Sequence, residues 1–230
     1  MLHTVVEIYT LDYASTYQHA FVYIRQLALH LRSAMKQRTE EAMGVVLCWQ
    51  YVHCLKLWVA VLSATCSGGA AKSGGGKDEE ANLLRSLVYP LTEVIQGVCR
   101  LVPVTRYVPL QLHCVRLLQQ LAAATETFIP TTSLLLGVLE LKEVGRKPLR
   151  DGGKKGKGNK KGGNSPVRGL RLPLILKLPK ENTLRTMEQL DGVLKEVFLL
   201  LNREADLYRF SPGFPEFAYA ILPRLRKVSF

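Results

Sequence analysis

Prolines divide the most apolar part of the chain into short helical segments. Residues 84 to 102 place apolar side chains at the three- and four-residue spacing of one helix face, and Pro90 starts or kinks this helix. Pro103 ends it and Pro109 begins the next helix, because proline is tolerated in a first turn and disfavours helix in the residue before it. Residues 100 to 121 are therefore predicted to form a helix end, a tight turn and a second helix that packs back against the first.

Helical spacing also dominates the rest of the chain. Asp12 is predicted to cap a helix that runs to about Met35, and Thr39 to begin a helix that reaches about Thr65. Thr131 or Thr132 is expected to cap a further helix, and Asn182 a long one near the C-terminus. The last segment, "SPGFPEFAYAILPRLRKVSF", predicts a final helix started by proline.

These patterns predict the fold class and its core. Successive helices with proline-marked turns, several of them apolar on two sides, indicate an all-α, HEAT/armadillo-like helical repeat array. The face of the first long helix is expected to carry Tyr17, Phe21, Ile24, Ala28 and Leu31. The predicted core comprises Trp49, Trp58, Leu110, Cys114, Leu117, Leu118 and Leu121.

One segment alternates instead of following a helical period. In "LRLPLILKL" the leucines at 170, 172, 174, 176 and 178 fall on one side of an extended chain. Because no second strand pattern exists to pair with it, we expect an extended strap laid across the helices.

Composition shifts divide the chain into five parts. We expect N-terminal helices over 1–66, a flexible Gly/Ser linker over 67–80 and a central helical block over 81–144. A long disordered Lys/Gly-rich loop follows over 145–169, and the strap and the C-terminal helices over 170–230 pack on the same array.

The net charge of +12 is concentrated in one place. Residues 145 to 171 contain ten Lys or Arg and one acid, a local balance of +9 that leaves 12 − 9 = +3 for the rest. A flexible polycation attracts nucleic acid by releasing counterions, and a solubilising loop or a basic import signal is the alternative. The residues predicted to contact nucleic acid are Arg146, Lys147, Arg150, Lys154, Lys155, Lys157, Lys160 and Lys161.

Several classes of protein fit the sequence poorly. The longest stretch without a charge runs from Leu57 to Ala71, which is shorter than the roughly 20 apolar residues that span a membrane. The start, "MLHTVVEIYTLD", lacks the basic region of a signal peptide. Five cysteines in helical apolar patterns, with no CxxC, indicate buried thiols in a reducing compartment.

The sequence also offers little for a metal, a nucleotide or catalysis. His53-Cys54 and His113-Cys114 lack the ligand spacing of zinc sites, since adjacent helix residues point about 100° apart. Gly76-Lys77 lacks the upstream glycine and the following hydroxyl of a phosphate loop. We therefore predict no cofactor, no metal and no enzymatic activity.

Arginines at the proline turn are the candidates for a partner interface. An arginine there either pairs with an acid or a helix end of the same fold, or faces an acidic partner. Internal use is the expectation for Arg100, while Arg106, Tyr107 and Arg116 are predicted to contact a partner.

Four blocks resemble one known family in the same order along the chain. They are "WQYVHCLKLWVAVLSA" (49–64), "LVYPLTEVIQGVCRLVPVTRYVPLQLHCVRLLQQLAAATETFIPTTSLLLGVLE" (87–140), "LILKLPK" (174–180) and "FPEFAYAILPRLRKV" (214–228). Together they resemble the nucleolar complex protein 2 family of ribosome-assembly factors. The departures are Gln111, where the family often has a basic residue, and Thr131 and Thr132, where it often has apolar ones.

The resemblance implies a helical scaffold without catalysis or cofactor that acts in the nucleolus and nucleoplasm. Its implied partners are other nucleolar complex proteins, of the protein 1 or protein 3 type, large-subunit (pre-60S) ribosomal precursors and pre-rRNA, and no membrane. It also implies that this chain is the C-terminal part of a longer protein. The competing hypotheses are a general helical-repeat adaptor with no RNA role and, from the histidine-cysteine pairs, a metal-dependent enzyme.

Overall fold

The chain folds into helices throughout the part that the structure describes. The computed structural model describes residues 2 to 66, 82 to 141, 171 to 178 and 187 to 228, and no strand occurs in these ranges. The all-α prediction is therefore confirmed. The helices are α1 (Leu2–Tyr9), α2 (Tyr13–Gln37), α3 (Glu40–Val46), α4 (Trp49–Cys66), α5 (Val88–Leu101), α6 (Val108–Thr125), α7 (Thr132–Leu139), α8 (Met187–Tyr208) and α9 (Phe214–Val228).

Two predicted caps begin their helices as expected. The Asp12 carboxylate accepts hydrogen bonds from the backbone N–H groups of Ala14 and Ser15 at 3.0 and 3.3 Å, at the start of α2. The Thr39 hydroxyl accepts from the Ala42 backbone N–H at 3.3 Å, at the start of α3. These polar side chains pair donors that the first helical turn leaves unsatisfied.

The predicted face of α2 is right for Ile24 and Leu31, which are buried, and for Tyr17 and Ala28, which are partly buried against the core, but it is wrong for Phe21. Ala20, Ile24, Leu27 and Leu31 are buried, whereas Phe21 remains 45% exposed. Ala20 therefore faces the core, and the larger Phe21 next to it remains at the surface.

The single helix predicted from 39 to 65 is also wrong, because the chain leaves the helix at Leu47. The backbone of Leu47 has φ −89° and ψ 40°, and α4 begins anew at Trp49. The bend buries both Val46 and Leu47, which an uninterrupted helix would direct about 100° apart.

Helix α6 lies between two apolar clusters. It contacts α4 and α5 on one side and α7 and α8 on the other. The first cluster takes Leu110, Cys114, Leu117, Leu118 and Leu121 from α6, and all five are buried. The second takes Val108, Leu112 and Val115 from the same helix. The polar side chain of Gln119 is only 1% exposed, and it donates to Thr131 and to the Leu200 carbonyl of α8.

The strap, defined here as residues 171 to 178, lies across α6 but is not evenly extended. Leu172, Leu176 and Leu178 are buried, whereas Leu174 is 65% exposed. The expectation for Leu174 is wrong because Leu172–Leu174 form a 3-10 turn. Pro173 fixes its own φ in the range that such a turn requires, and the turn rotates Leu174 outward.

The segment Glu40–Cys66 is long and apolar enough, by length and composition, to cross a membrane. Half of its most apolar window is buried inside the fold, and the core helix of a soluble protein passes the same test. Helix α4 contacts α1, α2, α5 and α6, which accounts for its apolar composition by packing.

Two parts of the sequence-based description stay predictions. The repeat period of the array and the five-part domain division are not tested by this architecture. The linker over 67–80, the basic loop over 145–169 and the cap at Asn182 lie outside the described residues.

Candidate functional site

The proline turn between α5 and α6 carries the candidate partner residues. Residues 105 to 107 form a 3-10 turn, and Pro109 lies in the first turn of α6 as predicted. Arg106 is partly buried, and its carbonyl accepts a 2.7 Å hydrogen bond from the Leu178 backbone N–H of the strap. Its Nε is buried with no hydrogen-bond partner among the described residues. Part of the Arg106 side chain is thus covered by the fold itself.

The strap adds a cationic side chain to this turn. The Lys177 ammonium lies 5.6 Å from the centroid of the Tyr107 ring, within the range of a cation–π contact. Arg171, Leu174 and Lys177 are exposed, while Tyr107 is partly buried between the turn and the strap. The turn and the end of the strap therefore share one surface, which we call the arginine-turn surface: Arg106, Tyr107 and Lys177.

Arg116, about two turns along α6, is held by an acid of the same chain. It forms an ion pair with Glu196 of α8, and its Nε lies 3.1 Å from the Glu196 carboxylate. The side chain of Arg116 is 26% exposed and that of Glu196 is 19% exposed. Arg116 is thus paired within the fold, and its predicted contact with a partner stays a prediction.

His113 lies beside this pair, on the same helix. Its Nε2 is 3.3 Å from the Ile175 carbonyl of the strap. Burial of the ring lowers the pKa of His113 below its usual value, and the nearby Arg116 charge lowers the pKa further. The neutral imidazole is therefore the form that this site favours.

Trp49 was expected in the core but is 37% exposed. Its ring lies between two histidines, with centroid separations of 5.5 Å to His53 and 5.4 Å to His113. The first turn of α4 directs it to the edge of the α4–α6 contact, where aromatic stacking replaces full burial. Trp58, further along α4, is 2% exposed and stacks on Tyr23, with 5.7 Å between the two ring centroids.

The histidine-cysteine pairs thus serve packing in the described ranges. Cys114 and Cys99 are buried against each other, and hydrogen bonding with Cys114, together with burial, raises the pKa of the Cys99 thiol well above its usual value. No group of three or more His, Cys, Asp or Glu able to hold a metal ion is present where residues are described.

Gln111 satisfies a helix end instead of presenting a charge. Its side-chain amide donates to the Cys99 carbonyl in the last turn of α5 at 3.1 Å. Carbonyls in the last turn of a helix have no intrahelical partner, and Gln111 of α6 supplies one for α5. This polar contact helps to fix the angle of the turn that carries Arg106.

Sequence reasoning missed a buried polar cluster on the other side of α6. Glu204 of α8 is 0% exposed and accepts hydrogen bonds from the Thr131 backbone N–H at 2.8 Å, the Thr131 hydroxyl at 2.6 Å and the Thr132 backbone N–H at 3.1 Å. Gln119 donates to the Leu200 carbonyl at 2.8 Å and to the Thr131 hydroxyl at 3.3 Å.

The cap of α7 therefore comes from another helix. Thr131 occupies the N-cap position of α7 as predicted, but its side chain forms no capping hydrogen bond. The carboxylate of Glu204 takes that role, and a negative charge is favoured there because helix N-termini carry partial positive charge. The signal available in the sequence was an acid at an otherwise apolar helical position.

The basic residues from Arg146 to Lys161 lie outside the described residues, so the structure places none of the predicted nucleic-acid contacts.

Comparison with known proteins identifies the family. The model of the Noc2p family matches residues 1 to 229. The chain belongs to the Noc2p family. It is 46% identical over 149 residues to "Nucleolar complex-associated protein 2" of Arabidopsis thaliana, covering 65% of this chain and 18% of that protein.

Two animal relatives agree with this assignment. The chain is 37% identical over 147 residues to "Nucleolar complex protein 2" of Drosophila melanogaster, covering 64% of this chain and 18% of the relative. It is 30% identical over 240 residues to "Nucleolar complex protein 2 homolog" of Caenorhabditis elegans, covering 100% of this chain and 29% of the relative. This Noc2p-family chain thus spans less than a third of the length of these relatives.

Proposed function

We propose that this Noc2p-family chain is a non-enzymatic scaffold in the assembly and intranuclear transport of large ribosomal subunit precursors. The observation that carries the proposal is the family match over residues 1 to 229. Relatives bear the name nucleolar complex protein, which supports a nucleolar location and a role in ribosome biogenesis. A helical body that presents side chains for protein contact suits such a role.

The partner under this proposal is another nucleolar complex protein, of the protein 1 or protein 3 type, within a pre-60S particle. Arg106, Tyr107 and Arg116 contribute to the interface. Support comes from the cation that the strap adds beside the turn, since Lys177 is exposed and lies over the Tyr107 ring. An acidic segment of the partner complements this charge.

The second half of the proposal concerns RNA. The lysines and arginines from Arg146 to Lys161 attract pre-rRNA electrostatically and without sequence preference. Deleting residues 145 to 169 from the full chain is expected to remove most of the salt dependence of RNA binding, measured by titration at several salt concentrations. Unchanged binding after the deletion would contradict this half.

The alternative is an adaptor that binds only proteins and uses its basic loop for nuclear import. It is favoured by one observation, the near-neutral charge of +3 that remains outside residues 145 to 171. Purification from nuclear extract with and without ribonuclease tests the scaffold itself. A nucleolar complex protein that stays bound after ribonuclease treatment supports protein scaffolding, whereas loss of every partner would mean that RNA holds the chain in the particle.

A further inference from the structure

The solvent side of α5 is a trough that no other described element covers. Two hollows, of about 660 and 420 Å³, flank the helix, and both are lined by Tyr89 and Glu93. The first lies between α5 and the C-terminal half of α2, and the second between α5 and residues 127 to 130. The hollows therefore form one continuous surface across α5, which we call the α5 trough.

Large apolar side chains stand exposed along this trough. Tyr89 is 71% exposed, Phe128 60% and Met35 53%. Ala28, Pro90 and Val94 complete the wall towards α2. A contiguous apolar surface of this kind, with polar residues at its edge, is typical of an interaction site in a soluble protein.

The edge of the trough is basic. Arg32 and Lys36 line its first hollow and Arg85 its second, while Arg100 bonds at 3.2 Å to Gln96, which also lines the second. With Glu93 the local balance is 4 − 1 = +3, equal to the entire net charge of the chain outside residues 145 to 171. A net positive charge thus lies beside the exposed rings of Tyr89 and Phe128.

These features select one kind of occupant. Two apolar hollows separated by a helix suit anchor side chains that recur every three or four residues on one face of an amphipathic helix. The described residues offer no exposed strand edge for an added strand. The basic edge favours acidic residues on the flanks of that helix. RNA is the alternative occupant of a basic surface, and binding of an oligonucleotide distinguishes it.

We propose that the α5 trough is a docking site for an acidic amphipathic helix of a protein partner. The site is separate from the arginine-turn surface, and the inference extends the proposed function by adding a second contact of stated chemistry. Tyr89 is the central anchor, since large aromatic residues at the centre of an interface carry much of its binding energy.

The probe is a labelled synthetic helix of about 18 residues, long enough for roughly five turns, with leucines on one face and glutamates on the other. Binding to the full chain is measured by fluorescence anisotropy. We expect Tyr89→Ala, and separately Arg32→Glu with Lys36→Glu, to weaken binding at least about tenfold. Tyr219→Ala is the matched control, because Tyr219 is a 79% exposed tyrosine on α9, and it is expected to leave binding unchanged.

Two further peptides separate the trough from the basic loop. A peptide with lysines in place of the glutamates is expected to bind at least about tenfold more weakly, by charge repulsion at the edge. An acidic peptide with serines in place of the leucines measures simple attraction to residues 145 to 169, and its binding is expected not to respond to Tyr89→Ala. A single-stranded oligonucleotide is tested in the same way.

The inference is overturned if the acidic amphipathic peptide binds the Tyr89→Ala chain as well as the original chain, or if the lysine peptide binds equally well. It is also overturned if Tyr89→Ala weakens binding of the oligonucleotide but not binding of the acidic amphipathic peptide. Failure of the acidic amphipathic peptide to bind the original chain also overturns the inference. It leaves the ribonuclease-resistant recovery of a nucleolar partner, the test of the proposed function, unaffected.

Discussion

Glu204 shows how a single residue can join three helices. It is fully buried on α8, yet its carboxylate accepts three hydrogen bonds from the residues that begin α7. Gln119 of α6 donates to the same Thr131 hydroxyl and to the Leu200 carbonyl of α8. A buried charge is tolerated only when donors replace its water, and here backbone N–H groups at a helix start do so.

Replacing Glu204 is expected to destabilise the fold more than an ordinary surface change. Glu204→Ala leaves two buried backbone N–H groups and the Thr131 hydroxyl proton without an acceptor, at a cost of about 3 kcal/mol or more in the free energy of unfolding. Asp206 is an exposed acid on the same helix, so Asp206→Ala is the control. It should change the free energy of unfolding by no more than about 0.5 kcal/mol. Equal denaturation midpoints for the two variants would show that the buried cluster contributes nothing.

His113 is expected to make the fold sensitive to mild acid. Because burial lowers the pKa of His113 in the folded chain, the unfolded chain takes up this proton first as the pH falls through about 6.5. The free energy of unfolding then decreases with falling pH in the window between that value and the lower folded pKa. His113→Asn removes this part of the dependence. Denaturant titrations at pH 7.5 and pH 5.5 should show that the free energy of unfolding falls less for the variant than for the original chain. An identical fall in the two proteins would contradict the lowered pKa of His113.

At the scale of helices, the sequence predicts starts and ends better than faces. Asp12 and Pro109 were placed correctly, because capping oxygens and proline act on the backbone next to them. The face of α2 depended on which neighbour packs against it, and Phe21 proved to be outside. The bend at Leu47 and the capping of α7 by Glu204 depend on residues far away in sequence, which a local pattern does not contain.

The candidate site followed the same rule. The turn that carries Arg106 was predictable from two prolines, whereas its cover by the strap and the pairing of Arg116 with Glu196 arise from contacts 72 and 80 residues apart (178 − 106 and 196 − 116). Long-range pairing of this kind has no signature in a single sequence.

Alanine substitutions at Gly97 and Gly192 can test how closely α2 approaches α5. A Cβ added at Gly97 of α5 would lie 2.6 Å from a terminal methyl of Leu31, which is itself buried between α2 and α5. A Cβ at Gly192 of α8 meets nothing within 4 Å. Gly192→Ala is therefore expected to stabilise by about 0.5 to 1 kcal/mol through helix propensity, while Gly97→Ala loses about 1 kcal/mol by overpacking. Thermal melts that rank the two variants in the opposite order would contradict the close approach.

At the scale of the whole molecule, α6 joins two cores. Its residues Leu118 and Leu121 belong to the first cluster, and Leu112 and Val115 to the second. Because both clusters use opposite sides of one helix, neither can lose its packing without exposing apolar surface on α6. The arginine-turn surface and the α5 trough therefore rest on a single support.

This shared helix predicts that the described body unfolds as one cooperative unit. Both tryptophans of the chain, Trp49 and Trp58, lie on α4 and report on the first cluster, whereas circular dichroism reports on all helices. The two signals should give coincident transitions. Leu118→Ala in the first cluster and Leu200→Ala in the second each remove a fully buried side chain, and each should lower the free energy of unfolding by about 2 to 5 kcal/mol. Leu200→Ala should therefore also lower the midpoint of the tryptophan transition. A tryptophan midpoint unaffected by Leu200→Ala would mean that the two clusters unfold separately and that α6 does not couple them.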